Sequence, residues 1–137
     1  MSGRNEAEAL LRRLIEVYWN GQALARIGEV FAADAVVHFG ATDYVGHRGI
    51  NEEFAGPFMA AFPDLRHDIL HVLVDGDSAA MRYRGSGHMA ADYGGARASG
   101  QPFAYHGIAI FRLAGGRIAE VWSNSDMASW LAAQPQA

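Results

Sequence analysis

Near the C-terminal end of the chain, His106 and Asp126 are the residue types whose spacing best suits proton transfer. His106 interrupts the apolar run Tyr105-His106-Gly107-Ile108-Ala109-Ile110-Phe111, and Asp126 follows Trp122-Ser123-Asn124-Ser125. Ala114-Gly115-Gly116 separates the two stretches and predicts an antiparallel hairpin. Alternation then puts His106, Ile108 and Ile110 on one face of the first strand, and Ile118, Trp122 and Asn124 on one face of the second. Asp126 continues that second set unless the strand bulges. A carboxylate in such apolar surroundings has its pKa raised towards the range useful for shuttling protons at neutral pH. His106, Tyr105 or a water molecule would then be the hydrogen-bond donor beside it. The structural alternatives are plain: Asp126 directly precedes Met127-Ala128-Ser129 and suits a helix N-cap, worth about 1 kcal/mol, and His106 suits a strand histidine bonded to neighbouring backbone.

Other polar residues give less. His38 shares a face with Val36 in a short strand pattern, and His47 and His88 fall in loop-like stretches. His67 and His71, four apart, would align as ligands on a helix, but on the predicted strand they share a face at greater distance, and no third ligand is suggested nearby, so no metal site is expected. Arg82 and Arg84 share a face, reading as a solvated or interface surface. Gly94-Gly95 and Gly115-Gly116 lack the strand-to-helix setting of a phosphate loop, and no serine sits in a Gly-x-Ser-x-Gly elbow.

The elements that must position these residues follow from periodicity. Leu10, Leu11, Leu14, Val17 and Tyr18 predict a helix over Ala7 to Tyr18, stopped by Asn20-Gly21. A second helix is predicted over about Gln22 to Ala33, then a strand over Ala35 to Phe39 and a loop over Gly40 to Gly49. Ile50, Phe54, Phe58, Met59 and Phe62 predict a third helix, kinked at Gly56-Pro57 and closed by Pro63. Two strands, Arg66 to Val74 and Ser78 to Gly87, flank Asp75-Gly76-Asp77, and a glycine-rich mobile loop over Ala90 to Gly100 precedes the hairpin. A frayed tail is expected from Gln134. Three helices ahead of an antiparallel sheet imply an α+β domain, its helices packed on one face of a curved sheet around a cavity. With 137 residues, half of them hydrophobic, a single domain with a real core is expected. Net charge is −4, and all 11 basic residues are scattered arginines, which argues against a nucleic-acid partner. No cysteine is present, so disulfides and thiolate chemistry are excluded. The N-terminal residues do not read as a signal peptide, and no apolar run approaches the ~20 residues of a membrane span. A soluble, cytoplasmic protein is expected.

Several segments in register resemble the SnoaL-like polyketide cyclases of the nuclear transport factor 2-like superfamily. They are Tyr18-Trp19-Asn20, Val37-His38, Tyr44-Val45-Gly46-His47-Arg48-Gly49-Ile50, Ala61-Phe62-Pro63-Asp64-Leu65, and Gly116-Arg117-Ile118-Ala119-Glu120-Val121-Trp122 with Asp126 beyond. The resemblance covers nearly the whole chain. It implies a cone-shaped α+β fold and an intramolecular aldol cyclisation without metal or organic cofactor, with the family's aspartate matching Asp126. A role for His106 or His38 comes from the residues themselves. The expectation is therefore a lyase or isomerase acting on a small hydrophobic carbonyl compound. Asp126 and His106 would be catalytic, in a pocket lined by Trp19, His38, Phe54, Phe58, Ile108 and Trp122. The alternatives are a non-catalytic binding protein, or an epoxide hydrolase relative drawing on Asp43, Glu120 and Arg82 or Arg84. A homodimer is expected, because large residues such as Tyr83, Tyr105 and Phe111 would occupy the uncovered face of the sheet.

Overall fold

The computed structural model describes residues 2–137. Helix α1 (Ser2–Arg13) runs on through a wider π turn, Leu14–Trp19, in which the Asn20 amide donates to Ile15 O at 2.8 Å. The extra residue per turn lets Leu14, Ile15, Tyr18 and Trp19 all bury. The predicted second helix is replaced by a short 3₁₀ turn, Leu24–Glu29, because Phe31 is already in strand β1 (Phe31–Phe39), paired with Ile118 and 3% exposed. Tertiary pairing overrides the local helical periodicity here. The predicted loop holds strand β2 (Thr42–Val45) and helix α2 (Gly46–Gly49). From α2 the chain continues through a second π turn, Ile50–Ala55, into α3 (Gly56–Ala61). The kink expected at Gly56-Pro57 takes this form, with the Gly56 amide reaching back five residues to Asn51 O. Tyr18 Oη donates to Asn51 Oδ1 at 2.6 Å and Asn51 Nδ2 donates to Leu24 O at 2.9 Å, tying the helical segments together.

Strands β3 (Arg66–Asp75), β4 (Ser78–His88), β5 (Pro102–Ala114) and β6 (Arg117–Ser125) complete one six-stranded sheet, and α4 (Met127–Ala132) follows. The order is β2-β1-β6-β5-β4-β3, antiparallel except for the β1–β6 pair. The Asp-Gly hairpin forms as expected, with Gly76 at φ +59°. Register shifts that leave extra residues in β1, β3 and β6 bend those strands and help curve the sheet around the helices. The sheet stays open. Its concave face, with Val37, Met81, Tyr83, Tyr105, Phe111 and Val121, joins the helical residues in one core. The glycine-rich segment and the tail are tied to each other: Arg97 N donates to Pro135 O at 2.7 Å and Ala137 N to Gly95 O at 2.9 Å. Among the described residues, no helix is long and apolar enough to cross a membrane.

Candidate functional site

A cavity of about 60 Å³ lies between the helices and the concave face of the sheet. It is several times the ~10–15 Å³ that one water needs. Leu14, Ile15 and Trp19 form one helical wall and Ile50 and Phe54 the other, while β1, β4, β5 and β6 supply apolar residues from Phe31 to Val121. Four polar residues interrupt this lining: His67, Tyr83, Tyr105 and Ser123.

These four form two pairs. His67 Nε2 lies 2.6 Å from Tyr105 Oη, and Tyr83 Oη lies 2.7 Å from Ser123 Oγ. Asn20 positions His67 on edge strand β3: its Nδ2 donates to His67 O at 2.9 Å, and its Oδ1 accepts the His67 amide at 2.7 Å. The helix-ending Asn20 thus doubles as the clamp of a cavity residue. Two glycines make room for the tyrosines. Gly85 faces Tyr105 and Gly107 faces Tyr83 across the ladder. A Cβ on Gly85 would lie 2.8 Å from Tyr105 Cδ1, and one on Gly107 would lie 2.8 Å from Tyr83 Cε2, with other ring atoms closer still. Each phenol therefore lies over a bare stretch of strand, the close approach for which glycine in a strand interior is used.

Burial sets the electrostatics. The His67 ring, 4% exposed, is pushed down to about 4 by loss of solvation, so it is neutral at pH 7. Burial raises both phenols, Tyr105 well above its ordinary value, and the Asp126 carboxylate adds to the rise in each. Both stay protonated as donors.

The expected site residues divide between the two faces of the sheet. Trp19 and Phe54 line the cavity. Phe58 is buried behind it, packing on Trp19 and His67 with ring centroids 5.8 and 6.4 Å apart. His38, His106, Ile108 and Trp122 point to the outer face, which corrects the expected lining. Ile108 is 58% and Trp122 42% exposed. Alternation along β5 holds, but its inward set is Tyr105, Ala109 and Phe111. In β6 the slip between Glu120 and Ile118 breaks the expected common face, so that Ile118 is buried with Val121 and Ser123 while Trp122 and Asn124 are exposed. Tyr83, Tyr105 and Phe111, expected on the uncovered face, accordingly lie inside. On the outer face, His38 Nδ1 lies 2.7 Å from Asp43 Oδ1 and Nε2 lies 2.6 Å from Glu120 Oε2, with the ring stacked on Trp122. Asp43, Glu120 and Arg82, which bonds His71, are thereby engaged on the side of the sheet away from the cavity. The shared face expected for His67 and His71 is broken by the register shift between Ile69 and His71.

Asp126 is exposed at the end of β6. Its Oδ1 accepts the His106 amide at 2.8 Å, and its own amide donates to His106 O at 3.1 Å. It occupies the N-cap position of α4 without bonding that helix through its side chain, and the Met127 amide goes to Ser125 Oγ instead. Sequence reasoning passed over His67, Tyr83 and Ser123 as site residues. The available signal was the pair of glycines in strand interiors opposite two tyrosines. Among the described residues, no cluster of three or more histidine, aspartate or glutamate side chains could hold a metal ion.

Comparison with solved structures supports the same architecture. A candidate SnoaL-like polyketide cyclase from Jannaschia sp. CCS1 superposes with a TM-score of 0.84 at 21% identity, covering 96% of this chain and 94% of that one. AclR from Streptomyces galilaeus, a candidate hydroxylase, gives 0.80 at 22%, covering 93% and 94%. IdmH from Streptomyces antibioticus, a candidate polyketide cyclase, gives 0.78 at 26%, covering 91% and 95%. No curated protein matches the sequence. The profile of the SnoaL-like polyketide cyclases matches residues 9–134, and the chain belongs to that family.

Proposed function

We propose that this protein is a cofactor-free lyase or isomerase of the cyclase type, acting on an apolar carbonyl compound whose reacting end enters the cavity. The observation that carries this reading is the two buried polar pairs set in an otherwise apolar lining. Such a lining binds a small molecule, and a few placed polar groups orient it. Two hydroxyls that share one hydrogen bond retain one O–H between them, so the Tyr83–Ser123 pair can donate to a substrate oxygen. In an aldol or isomerisation step, the base takes the C–H proton and the charge moves to that oxygen. A neutral phenol held in apolar surroundings stabilises it there. Asp126 is the proposed base. Its Oδ2 has no hydrogen-bond partner among the described residues, and its charge is felt at both Tyr83 and Tyr105.

Enolisation can be measured without the natural substrate, as exchange of the α-protons of cyclopentanone in D₂O followed by NMR. Exchange above buffer is expected, and Asp126→Asn should lower it by about 10²–10⁴-fold. No exchange above buffer, with the ketone still binding, would favour the second reading, a non-catalytic binding protein. That reading draws support from the exposure of Asp126 and from a lining without a carboxylate. We further propose a homodimer formed through the outer face, where Ile108, Ile110 and Trp122 are exposed together.

A further inference from the structure

We infer that His67 presents a Nδ1–H donor as the recognition group of the cavity, selecting ligands with an uncharged acceptor oxygen, a ketone or ester, over carboxylates and ammonium groups. This deepens the carbonyl reading above and rests on it.

The proton count fixes the tautomer. Tyr105 Oη has one hydrogen-bond partner among the described residues, His67 Nε2. If Nε2 carried the ring proton, the phenol O–H would be left without an acceptor and Nδ1 without a donor. With the phenol donating to Nε2, the ring proton sits on Nδ1 and only that N–H is left over. The second arrangement leaves one unpaired group instead of two. His67 Nδ1 is the buried side-chain atom without a hydrogen-bond partner among the described residues. An unpaired buried donor is costly, and His67 is a wall residue of the cavity. A ligand oxygen there supplies the missing acceptor.

The surroundings set the charge of that acceptor. Trp19, Tyr105, Tyr83 and Phe58 surround the imidazole, with ring centroids 5.2, 5.7, 5.8 and 6.4 Å away. No arginine lines the cavity to accompany a carboxylate, and no carboxylate lines it to accompany an ammonium group. Either charge would be desolvated without a counter-ion. A neutral imidazole N–H polarising a carbonyl is established chemistry, as in triosephosphate isomerase.

The test uses the full chain labelled with ¹⁵N-histidine, with cyclopentanone as probe. The expected spectrum shows His67 protonated at Nδ1, and cyclopentanone shifts that resonance while cyclopentane leaves it in place. Cyclopentanecarboxylate and cyclopentylammonium should bind about tenfold or more weakly than the ketone. His67→Phe keeps an aromatic ring and should abolish the preference for cyclopentanone over cyclopentane. If that variant does not fold, Tyr105→Phe serves instead: freeing Nε2 should spread the proton over both ring nitrogens. A proton on Nε2 in the wild type would overturn the inference. So would a Nδ1 resonance unmoved at cyclopentanone concentrations where cyclopentane binds, which would mean that a water or an aromatic face takes the proton. Equal binding of the charged probes, or no binding of the ketone, would overturn it too. Asp126→Asn separates the two claims, because it should lose α-proton exchange while keeping the ketone-induced shift at Nδ1.

Discussion

Replacing Gly107 by alanine tests whether the site depends on a bare strand under the Tyr83 ring. The backbone of Gly107 is not in the left-handed region. By backbone entropy alone, alanine should therefore stabilise by about 0.4–1 kcal/mol. The added Cβ, however, would stand 2.8 Å from Tyr83 Cε2, against an ordinary carbon contact of about 3.5–4 Å. Tyr83 Cζ and Oη would stand closer still, so the ring must withdraw by at least about 1 Å. If the phenol oxygen moves with it, the 2.7 Å bond to Ser123 Oγ stretches to about 3.7 Å or more, beyond hydrogen-bonding range. Overpacking costs about 1–3 kcal/mol and the lost buried bond about 1 kcal/mol. The net loss is then about 2 kcal/mol, or roughly 5–10 °C in Tm for a chain of this size. Urea and thermal unfolding of Gly107→Ala measure it, with the same change in a Tyr83→Ala background as the control. In that background the clash is gone and alanine should be neutral or stabilising. Gly107→Ala as stable as the wild type, or equally destabilising without Tyr83, would refute the reasoning.

Asp126→Asn keeps an oxygen for the His106 amide, so its unfolding midpoint should barely move while α-proton exchange falls, and a parallel loss of both would assign Asp126 a structural role. His67 contributes to acid sensitivity. Its folded pKa, down to about 4, lies below the ordinary 6.5, so the unfolded chain binds the extra proton between those values and stability falls as pH drops through that window. The loss from this group reaches about 3 kcal/mol and should be absent in His67→Phe. His38 has the opposite sign, because bonds to Asp43 and then Glu120 raise its pKa. Its contribution is fully present below pH 6.5 and fades above it as the folded ring deprotonates, a trend that His38→Gln should remove from the pH–stability profile. Sedimentation at micromolar concentration should give twice 14.8 kDa, and Trp122→Asp should give the monomer. A wild-type species of 14.8 kDa would dismiss the dimer.

Much of the fold was legible in the sequence because it rests on local chemistry. The Asp75-Gly76 and Gly115-Gly116 turns and the apolar stripes at Leu10 to Tyr18 and Ile50 to Phe62 mark elements that form close to where they are read. Alternation also divides β5 correctly into two sets, Tyr105, Ala109 and Phe111 against His106, Ile108 and Ile110. Which set faces the helices is another matter. Both faces of that strand are rich in apolar residues, and a period of two has no sign until one face is buried. Only the packing of α1 and the π turns against the sheet decides it. The same holds for His67 and His71, whose shared parity is undone by a register shift that no local pattern announces. Phe31 enters a strand because Ile118, far along the chain, pairs with it. The cavity and its polar pairs are therefore properties of long-range register: the sequence determined the strands and their alternation, and the tertiary structure decided which side of them became a site.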